Sequence, residues 1–162
     1  MELFLKDDID VQFVFCGKGP LEATIRDKFT DFLDKKVFLL GWQEQSIIPN
    51  LLYHCHAAWI LMSGFVLLEA ATVGAPIITS NREWHAEFIK DGINGYVVDP
   101  ENLQEIFGKT LHLISTKDLR DQFKINARKN LEKFYNPEML LEKEKNIYYN
   151  LMKINRDKWN LQ

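Results

Sequence analysis

The sequence predicts an α/β fold, a Rossmann-like, doubly wound parallel β-sheet with helices on both faces and a helical C-terminal tail. Three observations predict it. Short apolar runs rich in β-branched and aromatic residues alternate with segments of helical spacing, glycine-containing turns lie between them, and the segments after residue 101 are all helical in spacing. Strands that alternate with helices in this way pair in parallel, because each helix returns the chain to the same edge of the sheet.

The individual elements follow from residue type and from the turns that bound them. Apolar runs bounded by Gly, Pro, Asn or Asp predict strands, and 3.6-residue spacing predicts helices. The predicted strands cover residues 11–16, 37–40, 57–62, 77–79 and 96–98. The predicted helices cover residues 21–33, 46–54, 64–73, 82–90, 101–115, 117–134 and 138–157.

Length and composition favour one domain. A chain of 162 residues, 46% of them hydrophobic, is long enough to form a hydrophobic core. We therefore expect a single domain over residues 1–162, in which residues 1–9 form a leader or the remnant of a preceding segment.

Charge, hydropathy and cysteine content exclude several classes of protein. The net charge of −3 argues against a nucleic-acid partner, which needs clustered Lys and Arg. No apolar run approaches the roughly 20 residues that span a bilayer, and the first ten residues do not resemble a signal peptide. Cys16 and Cys55 each adjoin apolar residues, which is typical of reduced core thiols. We expect a cytoplasmic protein.

The stretch from Ala57 to Pro76 predicts one βαβ unit with a candidate binding turn. An apolar strand leads to Gly64, a helix follows, and Gly74 with Pro76 ends it. The first amides of a helix have no partner inside it, so an anion can bind where Gly64 brings no side chain. Glu69 lies about one turn further on and could accept hydrogen bonds from sugar hydroxyls. The alternative is a buried turn beside a surface Glu69.

Two other kinds of site are disfavoured. Gly17 and Gly19 resemble the start of a dinucleotide fingerprint, but Glu22 occupies the place of the third glycine, which argues against an NAD-dependent enzyme. His54, Cys55 and His56 are adjacent, so their side chains point in different directions, and no further ligand pair has metal spacing. We therefore expect no metal and no bound cofactor.

Four motifs, in order along the chain, carry a resemblance to a known family. They are Phe15–Pro20, Val37–Gly41, Gly64–Pro76 and Asp91–Val98. Together these motifs resemble the C-terminal, nucleotide-sugar-binding half of the group 1 (GT4-type) retaining glycosyltransferases, which have the GT-B fold. The resemblance covers roughly residues 10–150.

The resemblance implies roles for individual residues. Glu69 matches the second acid of the family's E-x7-E motif, which holds the ribose hydroxyls. Gly64, Phe65 and Val66 match the turn whose amides bind the diphosphate. The remaining nucleotide-binding candidates are Gly41 and Trp42, in the segment that lines the base, and Gly17 in a neighbouring loop.

The sequence also departs from the family pattern. Leu61 stands eight positions before Glu69, where the first acid of the motif belongs. The turn is several residues shorter than in the family, because Met62 and Ser63 adjoin Gly64 directly. The upstream Arg and Lys that clamp the diphosphate in the family are not present. The catalytic residues are therefore not identified from the sequence.

The sequence thus predicts the donor-binding half of a glycosyltransferase (EC 2.4) that transfers a hexosyl group from a UDP- or GDP-linked sugar. It would be inactive without an acceptor-binding domain or partner subunit, and such a partner could attach it peripherally to a membrane. The alternative is a non-catalytic, degenerate relative that acts as a binding or assembly module. The sequence leaves two candidate roles open for each of two residues. His85 is either a general base or a surface or packing residue, and Trp42 either stacks on the base or caps the core.

Overall fold

The computed structural model describes residues 1–62 and 64–159, with side chains described as far as residue 153. Ser63, named above in the shortened turn, lies outside the described residues. The strands are β1 (Phe13–Cys16), β2 (Val37–Gly41), β3 (Ala58–Ile60), β4 (Ile77–Ser80) and β5 (Tyr96–Val98). The α-helices are α1 (Glu2–Lys6), α2 (Glu22–Lys28), α3 (Ile48–His54), α4 (Gly64–Val73), α5 (His85–Phe88), α6 (Leu103–Ser115), α7 (Lys117–Phe134) and α8 (Pro137–Trp159).

The strands pair in parallel, as the alternation of strands and helices predicts. Hydrogen bonds join β1 to β2 in one sheet and β3, β4 and β5, in that order, in another. The five predicted strands thus form a pair and a triplet rather than one ladder. Aromatic side chains connect the two sheets, since the rings of Phe13 in β1 and Trp59 in β3 lie 5.6 Å apart between centroids.

Helices cover both faces of the three-stranded sheet, which confirms the doubly wound prediction. Consecutive residues of a strand face opposite sides. Ile77 therefore packs in one cluster with Leu67 and Ala70 of α4, whereas Ile78 packs in a second cluster with Ile106 of α6. Both isoleucines are fully buried, so β4 is the centre of the core.

Two helices are shorter than the sequence predicts. The helix predicted over residues 21–33 ends at Lys28, because Phe29 leaves helical geometry and is buried against Val37; a short 3-10 turn, Thr30–Phe32, follows. The helix predicted over 82–90 is reduced to α5. Glu83, just before it, has φ +54°, which an α-helix does not permit.

The first and last helices differ in how they pack. Residues 1–9 contribute to the core, where Phe4 of α1 is 1% exposed and packs against Phe107 with ring centroids 4.6 Å apart. In α8, by contrast, the side chains of Tyr148 and Tyr149 are exposed. Among the described residues, no helix combines the length and the apolar character that crossing a membrane requires.

Candidate functional site

The candidate turn lies where β3 ends and α4 begins. β3 ends at Ile60, and α4 begins at Gly64. Because parallel strands end at the same edge, this turn is at the carboxyl edge of the sheet, beside the ends of β4 and β5. Among the described residues, no loop carbonyl or side chain accepts a hydrogen bond from the amides of Gly64, Phe65 or Val66. The first amides of a helix also have no partner inside it, so the N-terminus of α4 is a candidate site for an anionic ligand.

The faces of α4 follow the apolar pattern of its sequence. Leu67, Ala70 and Ala71 are buried in the core, whereas Phe65 is 82% exposed. Glu69 lies four residues after Phe65, on the same side of the helix, and is half-buried. Within the described part of the chain, its carboxylate forms neither an ion pair nor a hydrogen bond with another side chain. The carboxylate is thus not committed to holding the fold.

A tryptophan packs directly on the glycine turn. A Cβ placed on Gly64 would lie 3.2 Å from Cζ2 and 3.4 Å from Nε1 of Trp84. The indole is stacked on Phe134 at the end of α7, with ring centroids 6.1 Å apart and planes inclined by 17°. The missing side chain of Gly64 therefore serves packing as well as ligand approach, and the sequence alone suggested only the second role.

Side chains from β4 tie the ends of β3 and β4 together. The Thr79 hydroxyl donates to the carbonyl of Ile60 at 2.7 Å, and the Ser80 hydroxyl donates to the carbonyl of Leu61 at 2.7 Å. Both hydroxyl-bearing residues are fully buried. This pair of hydrogen bonds fixes the backbone that leads into the glycine turn.

His85 is buried, with 1% of its surface exposed, at the first residue of α5. Its Nδ1 lies 2.9 Å from the Thr79 hydroxyl, and its Nε2 has no hydrogen-bond partner in the described structure. The imidazole of His85 is thus packed in the core rather than at the surface. The burial of the imidazole could not be read from the sequence, because α5 is too short to show a periodic pattern.

The glycines of the other sheet form a second group. The Gly17 amide donates to the Gly41 carbonyl at 2.7 Å, so the loops after β1 and β2 are joined. Both glycines have positive φ, +107° and +64°, which explains why glycine occupies these positions. Trp42 follows directly and is 76% exposed, so it does not cap the core. A shallow cavity of about 290 Å³ adjoins this group, and its lining includes Lys18, Pro20 and Glu22.

The two cysteines are both free thiols, but only one is near the core. Cys16 is exposed at the end of β1, so the prediction of a core thiol is wrong there: alternate residues of this strand face outward. Cys55 is half-buried, and burial raises the pKa of its thiol to about 11. Across the described chain, His, Cys, Asp and Glu side chains form no group of three or more that could hold a metal ion.

The structure thus brings the predicted nucleotide-binding residues into two groups at strand ends. Gly64, Phe65, Val66 and Glu69 follow β3, and the remaining candidates follow β1 and β2. Leu61, where an acid would belong, immediately follows β3 and is half-buried. Trp84 and His85 were not among the predicted binding residues, and the signal for them is their position directly after the buried strand β4.

Comparison with known proteins gives a consistent family. A model described as "Glycosyl transferases group 1" matches residues 1–130. A poly(ribitol-phosphate) α-N-acetylglucosaminyltransferase of Staphylococcus aureus is 27% identical over 151 residues, which is 91% of this chain and 31% of that protein. An N-acetyl-α-D-glucosaminyl L-malate synthase of Bacillus anthracis is 23% identical over 90% of this chain and 39% of its own length.

Solved structures show the same fold. The crystal structure of TarM matches with a TM-score of 0.78 and 26% identity, over 91% of this chain and 30% of that one. A TarM variant of S. aureus, solved in complex with fondaparinux, α-GlcNAc-glycerol and UDP, matches equally well. HepE from Anabaena in complex with UDP-glucose has a TM-score of 0.73 at 19% identity, over 90% of this chain and 42% of HepE. The chain spans about a third of the length of the relatives it matches.

Proposed function

The chain belongs to the group 1 glycosyltransferase family, and from this premise we propose that it forms the nucleotide-sugar-binding part of a glycosyltransferase. In this proposal the amides of Gly64, Phe65 and Val66 bind the diphosphate, and Glu69 holds the ribose hydroxyls. The observation that carries it is the juxtaposition on α4 of two features: first-turn amides that have no loop or side-chain partner among the described residues, and a carboxylate that has no other partner among them.

The first turn of α4 suits a diphosphate electrostatically. Aligned peptide dipoles place about half a positive charge at a helix N-terminus, and the amides there point outward along the axis. In a glycosyl transfer, the nucleoside diphosphate leaves with negative charge that fixed donors stabilise. Each such contact contributes about 0.3–1 kcal/mol when exposed and up to about 2 kcal/mol when partly buried.

Glu69 suits the ribose because its carboxylate is half-buried and uncommitted. A carboxylate accepts hydrogen bonds from two adjacent hydroxyl groups, and such charge-assisted bonds are stronger than neutral ones. Glu69 shares the side of α4 that carries the exposed Phe65, opposite the buried Leu67, so its carboxylate is accessible about one helical turn from the glycine turn.

The loops after β1 and β2 are proposed as the site of the base. Gly17 and Gly41 are joined by a backbone hydrogen bond, and Trp42 presents an indole to solvent. An exposed indole provides a stacking surface for a planar base. Replacing such an aromatic side chain by alanine usually costs about 1–3 kcal/mol of binding free energy per base.

UDP is the nucleotide to test first, because S. aureus TarM has been solved with UDP and HepE with UDP-glucose. The N-acetylglucosaminyltransferase names among the relatives make UDP-N-acetylglucosamine the second probe. GDP is tested alongside UDP for comparison, because the base of the donor is not identified. Because the chain spans about a third of its relatives' length, we propose that acceptor binding needs a further domain or a partner subunit, without which no sugar is transferred.

Thermal unfolding in the presence of UDP, GDP and ADP tests this function. A ligand that binds the native state at a hundred times its Kd stabilises it by about 2.7 kcal/mol, which is several degrees for a domain of this size. We expect UDP to raise the Tm. The Glu69→Ala variant should lose this increase while its own Tm without nucleotide stays close to that of the unaltered protein.

The matched control is Glu142→Ala, which removes a carboxylate from the exposed face of α8 and should leave the increase intact. An unchanged Tm at millimolar concentrations of all three nucleotides would overturn the proposal. If UDP still raises the Tm of Glu69→Ala, Glu69 does not bind the nucleotide, but the proposed function of the chain stands.

A non-catalytic binding or assembly module is the second candidate. The observation that favours it is the contact between Trp84 and Gly64, which covers one side of a turn that already lacks the acid replaced by Leu61. The same measurement separates the two, since a module of this kind would show no stabilisation by nucleotides.

A further inference from the structure

His85 has a defined tautomer, which follows from its neighbours. The single proton of the Thr79 hydroxyl is donated to the carbonyl of Ile60 at 2.7 Å. The hydroxyl oxygen can therefore only accept at its 2.9 Å contact with His85 Nδ1, so Nδ1 carries the proton. In the neutral imidazole Nε2 is then an unprotonated acceptor.

This acceptor has no donor. Nε2 is buried, and within the described residues it has no hydrogen-bond partner. Buried polar atoms are paired in the great majority of cases, and an unpaired one costs free energy that the folded state must offset. The two nitrogens of an imidazole point in widely different directions in the ring plane, so Nε2 faces away from the Thr79 hydroxyl.

The position of His85 relates this acceptor to the glycine turn. The indole of Trp84 contacts Gly64 and also packs edge-on against His85, with ring centroids 5.4 Å apart. One side chain thus separates the imidazole from the first turn of α4. Because the indole contacts Gly64, a sugar attached to a diphosphate at that turn can reach Trp84.

The short turn itself offers the sugar little. Leu61, Met62 and Ser63, the residues between β3 and Gly64, include no carboxylate and no amide side chain. A nitrogen or carboxylate acceptor for the sugar hydroxyls must come from another segment, and the segment after β4 packs on the turn through Trp84.

We propose that His85 Nε2 accepts a hydrogen bond from a hydroxyl of the donor sugar. The proposal rests on the proposed function, since it requires a nucleotide sugar at the α4 turn. Because His85 is 1% exposed, the sugar reaches Nε2 only when a covering side chain moves, and Trp84 is the neighbour that contacts both the turn and the imidazole. His85 would thus contribute to the choice between donors with and without a hydroxyl at this place.

Calorimetric titration with UDP, UDP-glucose and UDP-N-acetylglucosamine tests the proposal. The measured quantity is the ratio of the Kd of UDP to that of each UDP-sugar. His85→Asn retains polar atoms only near the Nδ1 position, so we expect the ratio for at least one UDP-sugar to fall about 2- to 12-fold, the range for one hydrogen bond. His85→Gln can place its amide oxygen near the Nε2 position and should keep most of the ratio.

The outcomes are distinguishable. If UDP does not bind to the unaltered protein, the proposed function fails, and this proposal fails with it. If UDP binds but the ratios are unchanged in His85→Asn, or fall equally in both variants, His85 does not contact the sugar. Equal losses of UDP and UDP-sugar affinity would assign it a structural role only.

A spectroscopic measurement on the unaltered protein avoids any loss of folding in the variants. The ¹⁵N resonance of His85 Nε2 should lie in the range of an unprotonated ring nitrogen. It should move upfield when a UDP-sugar is added, and to a much smaller extent with UDP. An Nε2 that is already protonated in the free protein, or a resonance that a bound UDP-sugar does not shift, would overturn the proposal.

Discussion

The indole of Trp84 occupies the space beside Gly64, where a Cβ would lie 3.2 Å from Cζ2 of the indole. This contact joins the segment after β4 to the first residue of α4. It makes the candidate phosphate-binding turn dependent on a residue twenty positions away in the sequence. The consequence can be measured as a coupling between the two positions.

Gly64→Ala should destabilise the unaltered protein but not a Trp84→Phe variant. The Cβ contact at 3.2 Å forces the indole to move by a few tenths of an ångström, whereas a phenyl ring leaves room. We expect a coupling of about 0.5–1.5 kcal/mol in a double-mutant cycle, measured by urea unfolding. Additive effects of the two substitutions would show that the contact has no energetic role.

Gly74→Ala should lower the free energy of unfolding by about 1–3 kcal/mol, because the left-handed conformation alone costs an alanine about 1–2 kcal/mol. Gly74 ends α4 with φ +74°, its amide donates to Ala71, and the Ala75 amide donates to Ala70, as in a Schellman motif. The new Cβ would also lie 2.9 Å from Nε of Arg128.

Gly108→Ala is the matched opposite of that substitution. Gly108 lies inside α6, and a Cβ there would have no neighbour within 4 Å. We expect the free energy of unfolding to rise by up to about 1 kcal/mol, since alanine favours a helix over glycine by that amount. Urea unfolding of both variants checks the signs, and a destabilising Gly108→Ala would contradict the open space seen beside this glycine.

Stability should fall at alkaline pH through Lys109. Burial lowers the pKa of Lys109, but its hydrogen bonds to Asp91 and Glu105, at 2.9 and 3.0 Å, outweigh burial and raise the pKa above the ordinary 10.5. A raised pKa stabilises the folded state below the unfolded pKa, and this contribution is lost as pH rises through the folded value. We expect the free energy of unfolding to decrease from pH ~10 upward, and less steeply in Lys109→Met.

Lys117→Met provides the control for that pH profile. The pKa of Lys117 is also raised, chiefly by its hydrogen bond to Asp121, but this pair is exposed on α7. Exposed pairs contribute little to stability. The free energy of unfolding of Lys117→Met should therefore depend on pH as it does in the unaltered protein. A change as large as that of Lys109→Met would show that the partial burial of Lys109 does not cause the pH dependence.

The two thiols should differ in their rate of alkylation. Cys16 is exposed, whereas Cys55 is half-buried, donates to the carbonyl of Leu52 at 3.1 Å and has a pKa raised to about 11 by burial. Because the thiolate is the reactive form, iodoacetamide at mild alkaline pH should modify Cys16 first. Mass spectrometry of Cys16→Ser should then show only the slow alkylation of Cys55. Rapid alkylation of Cys55 would contradict its burial.

The sequence determined the elements of this protein and their order. Apolar runs placed all five strands, and helical spacing placed α3, α4, α6, α7 and α8 within a few residues of their ends, because periodicity records which face of a segment is buried. Residue chemistry also identified Gly74 as the end of α4, since its backbone has the left-handed conformation that glycine favours. These features depend on residue type and spacing within one segment, so they can be predicted from the sequence.

Tertiary structure decided what lies beside the candidate site. The contact of Trp84 with Gly64, the burial of His85 against Thr79 and the division of the strands into two sheets depend on segments that are distant along the chain. The exposure of Cys16 was likewise unpredictable, because an apolar neighbour in sequence does not determine which face of a strand is buried. Whether a side chain is buried depends on contacts between segments that are distant in the sequence. The local sequence narrows the possibilities but does not determine the burial.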